Sequence, residues 1–473
     1  MKVEQLFTGC LAEMAYYIAS NGEAAIVDPL RETQPYIDMA KADNAKIKYI
    51  FLTHFHADFV SGQYDLAQKT GAKIIFGPNA AAAYDIYVGK DGEEFPLGDG
   101  KITLLHTPGH TMESSSYLIT DENGNTPCVL TGDCLFIGDV GRPDLAVKSD
   151  LTQADLAGHL YDSLRNKIMT LPDDIIVYPN HGAGSACGKN MSSETFDTLA
   201  NQKKTNYALR ADMTKEEFIK EVTTGLKTPP QYFPNNVRMN KSINTSIDEV
   251  LSKGMTPIDP ATFKEMSEQK DILVIDTRSK EEYTEEGTVP GAWFIGADGS
   301  FAPWVGALVT NINQKILFIV SDESRVQEVV TRFSRVGYDN TQGYLAGGIK
   351  NWKAQGFEVD KIGSMSAKEF VEGVKAGKLE KPLDVRKDTE YLSEHVVGVA
   401  NFPLDTINTN FAEIDASKAY YVHCASGYRS LIAASIFKAN GVENVTDVRG
   451  GFKAIKEVDG APITEYVCPS TLL

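Results

Sequence analysis

The residues best suited to chemistry fall in two groups. Six of the eight histidines lie in the first 181 residues. Four of them, with two aspartates, occur as Thr53-His54-Phe55-His56-Ala57-Asp58, Thr107-Pro108-Gly109-His110, Thr131-Gly132-Asp133 and Pro179-Asn180-His181. Imidazole and carboxylate together suit zinc or iron. The second group is a single loop near the C-terminus, Cys424-Ala425-Ser426-Gly427-Tyr428-Arg429. A cysteine there, with glycine to bend the loop and arginine to supply positive charge, is built to work as a thiolate nucleophile.

These residues need rigid elements to aim them. Short β-rich runs at Ala24–Val27, Ile47–Leu52, Ile102–Leu105, Ser116–Ile119, Val129–Thr131 and Ile175–Tyr178 predict strands, with helices over Gly62–Thr70 and Asp155–Ile168. His54, His110, Asp133 and His181 each follow one of these runs, so strand ends with tight Pro/Gly turns can converge on one ion. Polar sequence from Thr195 to about Lys227 reads as helical. Thr228-Pro229-Pro230-Gln231-Tyr232-Phe233-Pro234 is too proline-rich for a helix interior. The run Tyr420-Tyr421-Val422-His423 predicts a buried strand before Cys424. Ser430 to Asn440 predicts a helix with an apolar face, which Gly441 can stop. Cys424 thus sits at a helix N-terminus, where backbone N–H groups and the dipole favour an anion.

Beyond about residue 245 the chain repeats itself. Leu273-Val274-Ile275-Asp276-Thr277-Arg278 returns as Pro382-Leu383-Asp384-Val385-Arg386, and Ala346-Gly347-Gly348 as Arg449-Gly450-Gly451. Two copies of one α/β unit, each a parallel sheet with helices on both faces, fit that pattern. The expected domains are 1–245, 246–358 and 359–473. With 46 Lys+Arg against 64 Asp+Glu, the net charge of −18 argues against nucleic acid or an anionic membrane as partner. No apolar run reaches the ~18 residues needed to span a bilayer. The N-terminus lacks the build of a signal peptide, so a cytoplasmic enzyme is expected. The six cysteines are too scattered for a disulfide framework.

The histidine pattern, in this order and spacing, resembles the metallo-β-lactamase fold, an αββα sandwich with its metal site at one edge, over about residues 1–240. Hydrolytic members such as glyoxalase II have a histidine where this chain has Phe59, and they hold two metals. The stretch Gly138-Asp139-Val140-Gly141-Arg142-Pro143-Asp144-Leu145 is similar to the persulfide dioxygenase branch. That resemblance implies one Fe(II) per chain, bound by His54, His110 and Asp133, with three positions open. It implies that His56, Asp58 and His181 orient the ligands and bound water, with direct ligation the other use of His56. Arg142 is a candidate for holding a carboxylate or phosphate of a thiol carrier, with an ion pair to Asp144 as its other use. Cys134 is expected in the core. Cys187, on a loop expected to be flexible, is a candidate sulfur acceptor, or else a passive loop cysteine.

The Cys424 loop resembles the rhodanese domain, a sulfurtransferase module. Four residues, Ala425, Ser426, Gly427 and Tyr428, separate Cys424 from Arg429; cysteine phosphatases carry one more. These four would cradle the transferred sulfur, and Asp384, Arg386 and His395 match signatures read as structural. The first copy has Ser321-Asp322-Glu323-Ser324-Arg325 instead, with no cysteine and two acids, which implies an inactive copy. The combined resemblance implies an enzyme of sulfide detoxification. It would oxidise a low-molecular-weight thiol persulfide (of glutathione, coenzyme A, bacillithiol or cysteine) with dioxygen to sulfite, and pass sulfane sulfur through Cys424 to give thiosulfate. Family resemblance suggests a homodimer or homotetramer. The alternatives are a zinc thioester hydrolase of glyoxalase II type and a sulfur carrier that uses only Cys424.

Overall fold

The structure, a computed structural model, describes residues 1–147 and 150–468. The chain forms two compact units. The first comprises Met1–Ile247 with Ser334–Gly337; the second holds Asp248–Phe333 and the chain from Tyr338 onward. Among the described residues, no helix is long and apolar enough to cross a membrane.

Two six-stranded sheets make up the first unit. One runs in chain order: β1 (Lys2–Thr8), β2 (Glu13–Ser20), β3 (Glu23–Val27), β4 (Lys46–Phe51), β5 (Lys73–Phe76) and β6 (Tyr87–Val88). The other contains β7 (Glu94–Leu97), β8 (Gly100–His106), β9 (Ser115–Thr120), β10 (Cys128–Gly132), β11 (Ile176–Pro179) and β12 (Asp197–Thr198). Side chains alternate between the faces of a strand, and β2 shows the consequence. Met14, Tyr16 and Ile18 enter the core between the sheets, where they meet Phe95, Leu104 and Tyr117. Ala15 and Tyr17 face Tyr36 and Leu66 of the covering helices. The far face of the second sheet is covered through Ala157, Leu160, Leu164, Ile168, Leu199 and Phe218. This is the expected αββα sandwich.

The polar segment 195–227, read as helical, is helical only in part. It resolves into helices Leu199–Thr205 and Lys215–Thr223. The break falls at Asn206, whose amide donates to the carbonyls of Phe136 and Asp139 and so holds an extended backbone. Thr214 and Glu217 form a capping box that restarts the chain as helix. The proline-rich stretch leads into a helix that sequence reading did not anticipate, Phe233–Asn240. Pro234 lies in its first turn, where the missing N–H has no helical partner to lose.

The second unit contains two five-stranded parallel sheets. In the first copy the order is β13 (Pro257–Ile258), β17 (Thr341–Leu345), β16 (Lys315–Ile319), β14 (Ile272–Asp276), β15 (Trp293–Phe294). The second copy repeats it as β18 (Gly363–Met365), β22 (Val445–Val448), β21 (Tyr420–His423), β19 (Lys381–Asp384), β20 (Ala400–Asn401). The identical order confirms the duplication. Helix Tyr428–Ala439 starts two residues earlier than expected. It is buried from Ser430 through Phe437 rather than on one face, because helix and β15 pack together inside this unit, where the Phe294 N–H donates to Ser435 Oγ at 2.8 Å.

Candidate metal centre and cysteine loop

His54, His110 and Asp133 meet at one edge of the sandwich, all essentially buried. Their ligand atoms lie within 4.8 Å of one another. His54 Nε2 is 3.9 Å and His110 Nε2 3.4 Å from Asp133 Oδ2. Each ring is anchored by its other nitrogen. His110 Nδ1 donates to the Arg142 carbonyl at 2.8 Å, and His54 Nδ1 bonds Thr53 Oγ1 at 3.0 Å. Both Nε2 lone pairs are thereby presented inward. Burial, together with the neighbouring imidazoles of His56, His110 and His181, holds the His54 pKa well below its ordinary value, so this ring is neutral as a ligand must be. Gly109 makes the turn possible. Its φ is +145°, and a Cβ would stand 2.4 Å from Leu160 Cα.

Both oxygens of Asp133, both of Asp58 and Nε2 of His181 are buried without a hydrogen-bond partner. Buried charges without partners are costly, and a cation would satisfy all of them. This donor set fits a divalent metal. His56, Asp58 and His181 lie beside the first trio with their own ligand atoms within 4.8 Å; His181 Nε2 is 3.5 Å from both Asp58 Oδ2 and Asp133 Oδ1. His56 is held from behind by Asp28, with Nε2 to Oδ1 at 2.9 Å. Burial opposes protonation of His56, but the charge and hydrogen bond of Asp28, with Asp58 and Asp133, outweigh it and raise the pKa. The ring of Phe59 stacks on His56 at 4.3 Å. A cavity of ≈ 200 Å³ opens beside His110, lined by Phe55, Met112, Leu145, Val237 and Lys241, with the Lys241 ammonium 4.8 Å from the Phe55 ring centre.

Two residues that sequence reading missed hold this site. Asp28 accepts from the Thr53 N–H (2.9 Å) and from Asn180 Nδ2 (2.6 Å) as well as bonding His56, tying two metal-motif segments together. Its place directly after β3, like that of Asp133 after β10, is the available signal. Asn240 ends helix Phe233–Asn240 and reaches back to the first motif. Its Nδ2 donates to the carbonyls of His56 and Phe59, both at 2.8 Å, and its Oδ1 accepts from the Ser61 N–H at 2.8 Å. Asn240→Ala strands three buried backbone groups. It is expected to weaken metal retention by about 10–100-fold and to lower the melting temperature. Equilibrium dialysis against a chelator tests this, and unchanged retention would remove Asn240 from the site.

One open choice is settled and one reading is corrected. Arg142 is a candidate to hold a carrier anion, with an ion pair to Asp144 as its other use; its guanidinium is buried and committed to protein. Its Nε and Nη2 grip Asp144 at 2.6 and 2.7 Å, and the remaining donors reach the carbonyls of Ala186 and Lys227. The ion pair wins because the fork is filled before any substrate arrives. Cys187 lies on a loop expected to be flexible; it is 1% exposed and pinned, its carbonyl accepting from the Arg142 N–H at 3.0 Å. Burial pushes its thiol well above the usual range, with Asp58 and Asp133 adding to the effect. Its Sγ still lies within 4.8 Å of Asp133 and His181 ligand atoms. Cys134 is in the core as expected, its thiol pushed up to about 12 by burial.

In the second unit, Cys424 follows β21 and is 1% exposed. Its Sγ accepts from the Gly427 N–H at 3.1 Å and from Ser430 Oγ at 3.5 Å. The Phe452 N–H donates to the Cys424 carbonyl at 2.6 Å and the Lys453 N–H to that of Ala425 at 3.1 Å, so the second Gly-Gly turn braces the loop. Ser426 is exposed at the loop's tip. Arg429, expected to serve the cradle, also forms a bidentate pair with Glu390 at 2.6 and 2.9 Å, which offsets part of its charge. Asp384 and Arg386 form a buried ion pair beneath the loop at 2.6 Å, and the His395 ring stacks on Tyr391 at 3.8 Å. Both arrangements match their structural reading.

The first copy fills its own loop. Glu323 Oε1 accepts from the Gly347 N–H at 2.9 Å and Oε2 from Tyr344 at 3.2 Å, while Arg325 pairs with Asp298 and Glu328. This copy also touches the active-type loop of the second. Tyr428 donates to the Gly296 carbonyl at 2.8 Å, and a Cβ on Gly299 would stand 2.3 Å from the Tyr428 ring. Gly299→Ala must displace that ring. A stability loss of about 1–3 kcal/mol is expected from overpacking, with a several-fold loss of sulfur transfer at Cys424. Denaturant titration and a cyanide sulfurtransferase assay measure the two effects; wild-type behaviour in both would show that the contact does not position the loop.

Comparison with known proteins agrees with this architecture. The chain matches the metallo-beta-lactamase superfamily over residues 8–181 and the rhodanese-like domain twice, over 259–355 and 366–458. It is 33% identical over 199 residues to a probable hydroxyacylglutathione hydrolase, glo2, of Schizosaccharomyces pombe, covering 41% of this chain and 72% of that protein. To the mitochondrial persulfide dioxygenase ETHE1 of Homo sapiens it is 27% identical over 222 residues, 46% of this chain and 79% of the relative. A crystal structure of a metallo-beta-lactamase from Staphylococcus aureus subsp. aureus COL superposes with a TM-score of 0.62 at 29% identity, covering 73% of this chain and 98% of that one. The chain belongs to the metallo-beta-lactamase superfamily and carries two rhodanese-like domains on the same polypeptide.

Proposed function

We propose that the first unit is a mononuclear iron persulfide dioxygenase and that Cys424 is the carrier of a sulfurtransferase. The observation that carries the first half is the pair of tied-off Nδ1 atoms, on His54 and His110, facing a carboxylate, Asp133, with no protein partner. When bound there, ferrous iron supplies open positions for dioxygen and a substrate sulfur. The chain's own residues do the rest. Thr53 and the Arg142 carbonyl fix the ligand rings. Asp28 holds His56 beside them, and the cavity next to His110 takes the thiol carrier. Phe55, Met112 and Leu145 exclude water there, and the Lys241 ammonium suits an anionic group on the carrier. At Cys424 the Gly427 amide stabilises the sulfur anion. Sulfite from the first reaction and sulfane sulfur on Cys424 would combine as thiosulfate, a coupling aided by a shared chain.

The test is oxygen consumption by iron-loaded protein on adding glutathione persulfide or coenzyme A persulfide. Rapid uptake with sulfite or thiosulfate as product supports the reading and ranks the carriers. No uptake with either, from protein that holds one iron per chain, overturns it. A second reading, zinc hydrolysis of a glutathione thioester, is favoured by the neighbouring His56–Asp58–His181 trio and the similarity to a probable hydroxyacylglutathione hydrolase. Two bound zinc ions with thioester turnover would establish it instead.

A further inference from the structure

The arginine that ends each rhodanese-like loop has a different partner in the two copies. A Glu-Tyr pair follows the Asp-x-Arg strand end at the same spacing in both, as Glu282-Tyr283 and Glu390-Tyr391. In the second copy Arg429 bonds that glutamate, Glu390, at 2.6 and 2.9 Å. In the first, Glu282 accepts from the Ser279 and Ser321 hydroxyls instead, both at 2.7 Å. Arg325 turns to Asp298 and to Glu328, each at 2.9 Å. Glu328 also holds Arg332 Nη2 at 2.6 Å, and Arg332 Nη1 donates to the Ala297 carbonyl.

Ala297 and Asp298 belong to segment 296–299, on which Tyr428 sits. The Ala297 N–H ties this segment to the Thr277 carbonyl at 2.8 Å, and the Gly299 N–H closes a turn on the Gly296 carbonyl at 3.2 Å. The same Gly296 carbonyl accepts from the Tyr428 hydroxyl at 2.8 Å. Tyr428 follows Gly427, whose N–H donates to Cys424 Sγ at 3.1 Å. Gly427 has a φ of +102° and no Cβ, so its own sterics do little to fix where that amide points; its neighbours must.

We propose that Arg332, steadied by Glu328 and Arg325, is a positioning residue for sulfur transfer at Cys424. It clamps segment 296–299, the clamped segment seats Tyr428, and Tyr428 fixes the aim of the Gly427 amide at the sulfur. The copy without a cysteine thereby serves the copy that has one. This inference rests on the reading of Cys424 as a sulfur carrier. With thiosulfate as donor, the Cys424 thiolate attacks the outer sulfur. The Sγ–S bond forms as the donor's S–S bond breaks, and sulfite leaves with the electron pair. The Gly427 amide stabilises the sulfur anion before and after this step, so losing its aim slows transfer without weakening the binding of the donor.

The experiment uses the full chain. It measures thiosulfate:cyanide transfer, and iodoacetamide alkylation of the Cys424 peptide by mass spectrometry. Arg332→Ala is expected to lower kcat about three- to ten-fold, the worth of one hydrogen bond, to slow alkylation by a similar factor, and to leave the thiosulfate KM unchanged. Arg332→Lys keeps a donor for the Ala297 carbonyl and should recover most of both losses. Tyr428→Phe cuts the same path one bond later and should match Arg332→Ala; the double variant should be no slower than either. Asn408→Ala is the control. It removes a different contact between the copies, Asn408 Nδ2 to the Leu308 carbonyl at 3.0 Å, and should leave both rates at wild type. Wild-type rates in Arg332→Ala overturn the proposal, as does a change confined to KM, a lysine variant no better than alanine, or an equal loss in Asn408→Ala. If Arg332→Ala does not fold, Tyr428→Phe against Asn408→Ala decides alone. Loading with glutathione persulfide separates the two claims. Cys424 that never gains sulfur, with the alkylation loss present in Arg332→Ala, refutes the carrier reading and leaves the positioning. Sulfur loading with no alkylation loss refutes the positioning alone.

Discussion

Asp133→Ala is expected to abolish oxygen uptake while leaving sulfur transfer at Cys424 intact. Asp133 is the carboxylate toward which His54, His110 and His181 all point, at 3.9, 3.4 and 3.5 Å. Its two oxygens have no other partner. Removing it deletes the only anionic member of the first trio and leaves two neutral imidazoles, one ligand short and with no negative charge to balance a cation. Loss of an outer-shell partner alone typically weakens metal affinity by about 10–100-fold, so loss of a ligand should exceed that range. Metal analysis after desalting and an oxygen electrode read the first effect; thiosulfate:cyanide transfer reads the second. Retained iron with full uptake would show that the metal lies elsewhere.

Cys424→Ser should have the converse phenotype. Oxygen uptake with a persulfide substrate continues, sulfite accumulates in place of thiosulfate, and cyanide sulfurtransferase activity falls on the order of 10³-fold or more. The substitution nearly preserves shape in a loop where Gly427 and Ser430 already contact the atom in question, so folding should be unaffected. Serine fails for a chemical reason. Its hydroxyl does not ionise near neutral pH and forms no persulfide, and the cradle's hydrogen bonds then have no anion to stabilise. An unchanged thiosulfate yield would remove Cys424 from the pathway and turn attention to Cys187, despite its burial.

How much of this was legible in the sequence depended on distance along the chain. The metal-motif residues announced themselves because each sits a few residues beyond a strand, so strand pattern and turn chemistry together locate the side chain. Asp28 follows the same rule but carries no neighbouring histidine to mark it. Asn240 was not legible. Its amide closes hydrogen bonds to residues 181 and 184 positions earlier, and it follows a proline-rich stretch that reads as a linker. The choice between the two uses of Arg142 was open for a similar reason. Its charge was visible, whereas the carbonyls of Ala186 and Lys227 that occupy it come together only in the tertiary fold. The repeat, by contrast, was readable from Asp-x-Arg and Gly-Gly alone, since both are demanded locally by the strand ends they occupy.

The carboxylate of Glu323 gives the first rhodanese-like copy a different economy from the second. An enzyme's anion cradle must keep donors waiting for a visitor, and every waiting donor is stability forgone. In the first copy the visitor has become part of the chain: Glu323 takes the Gly347 and Tyr344 donors permanently. This loop carries no cysteine, and its donors are already taken. Through Gly296 and Gly299 the same copy offers a settled surface against which the Cys424 loop packs by way of Tyr428.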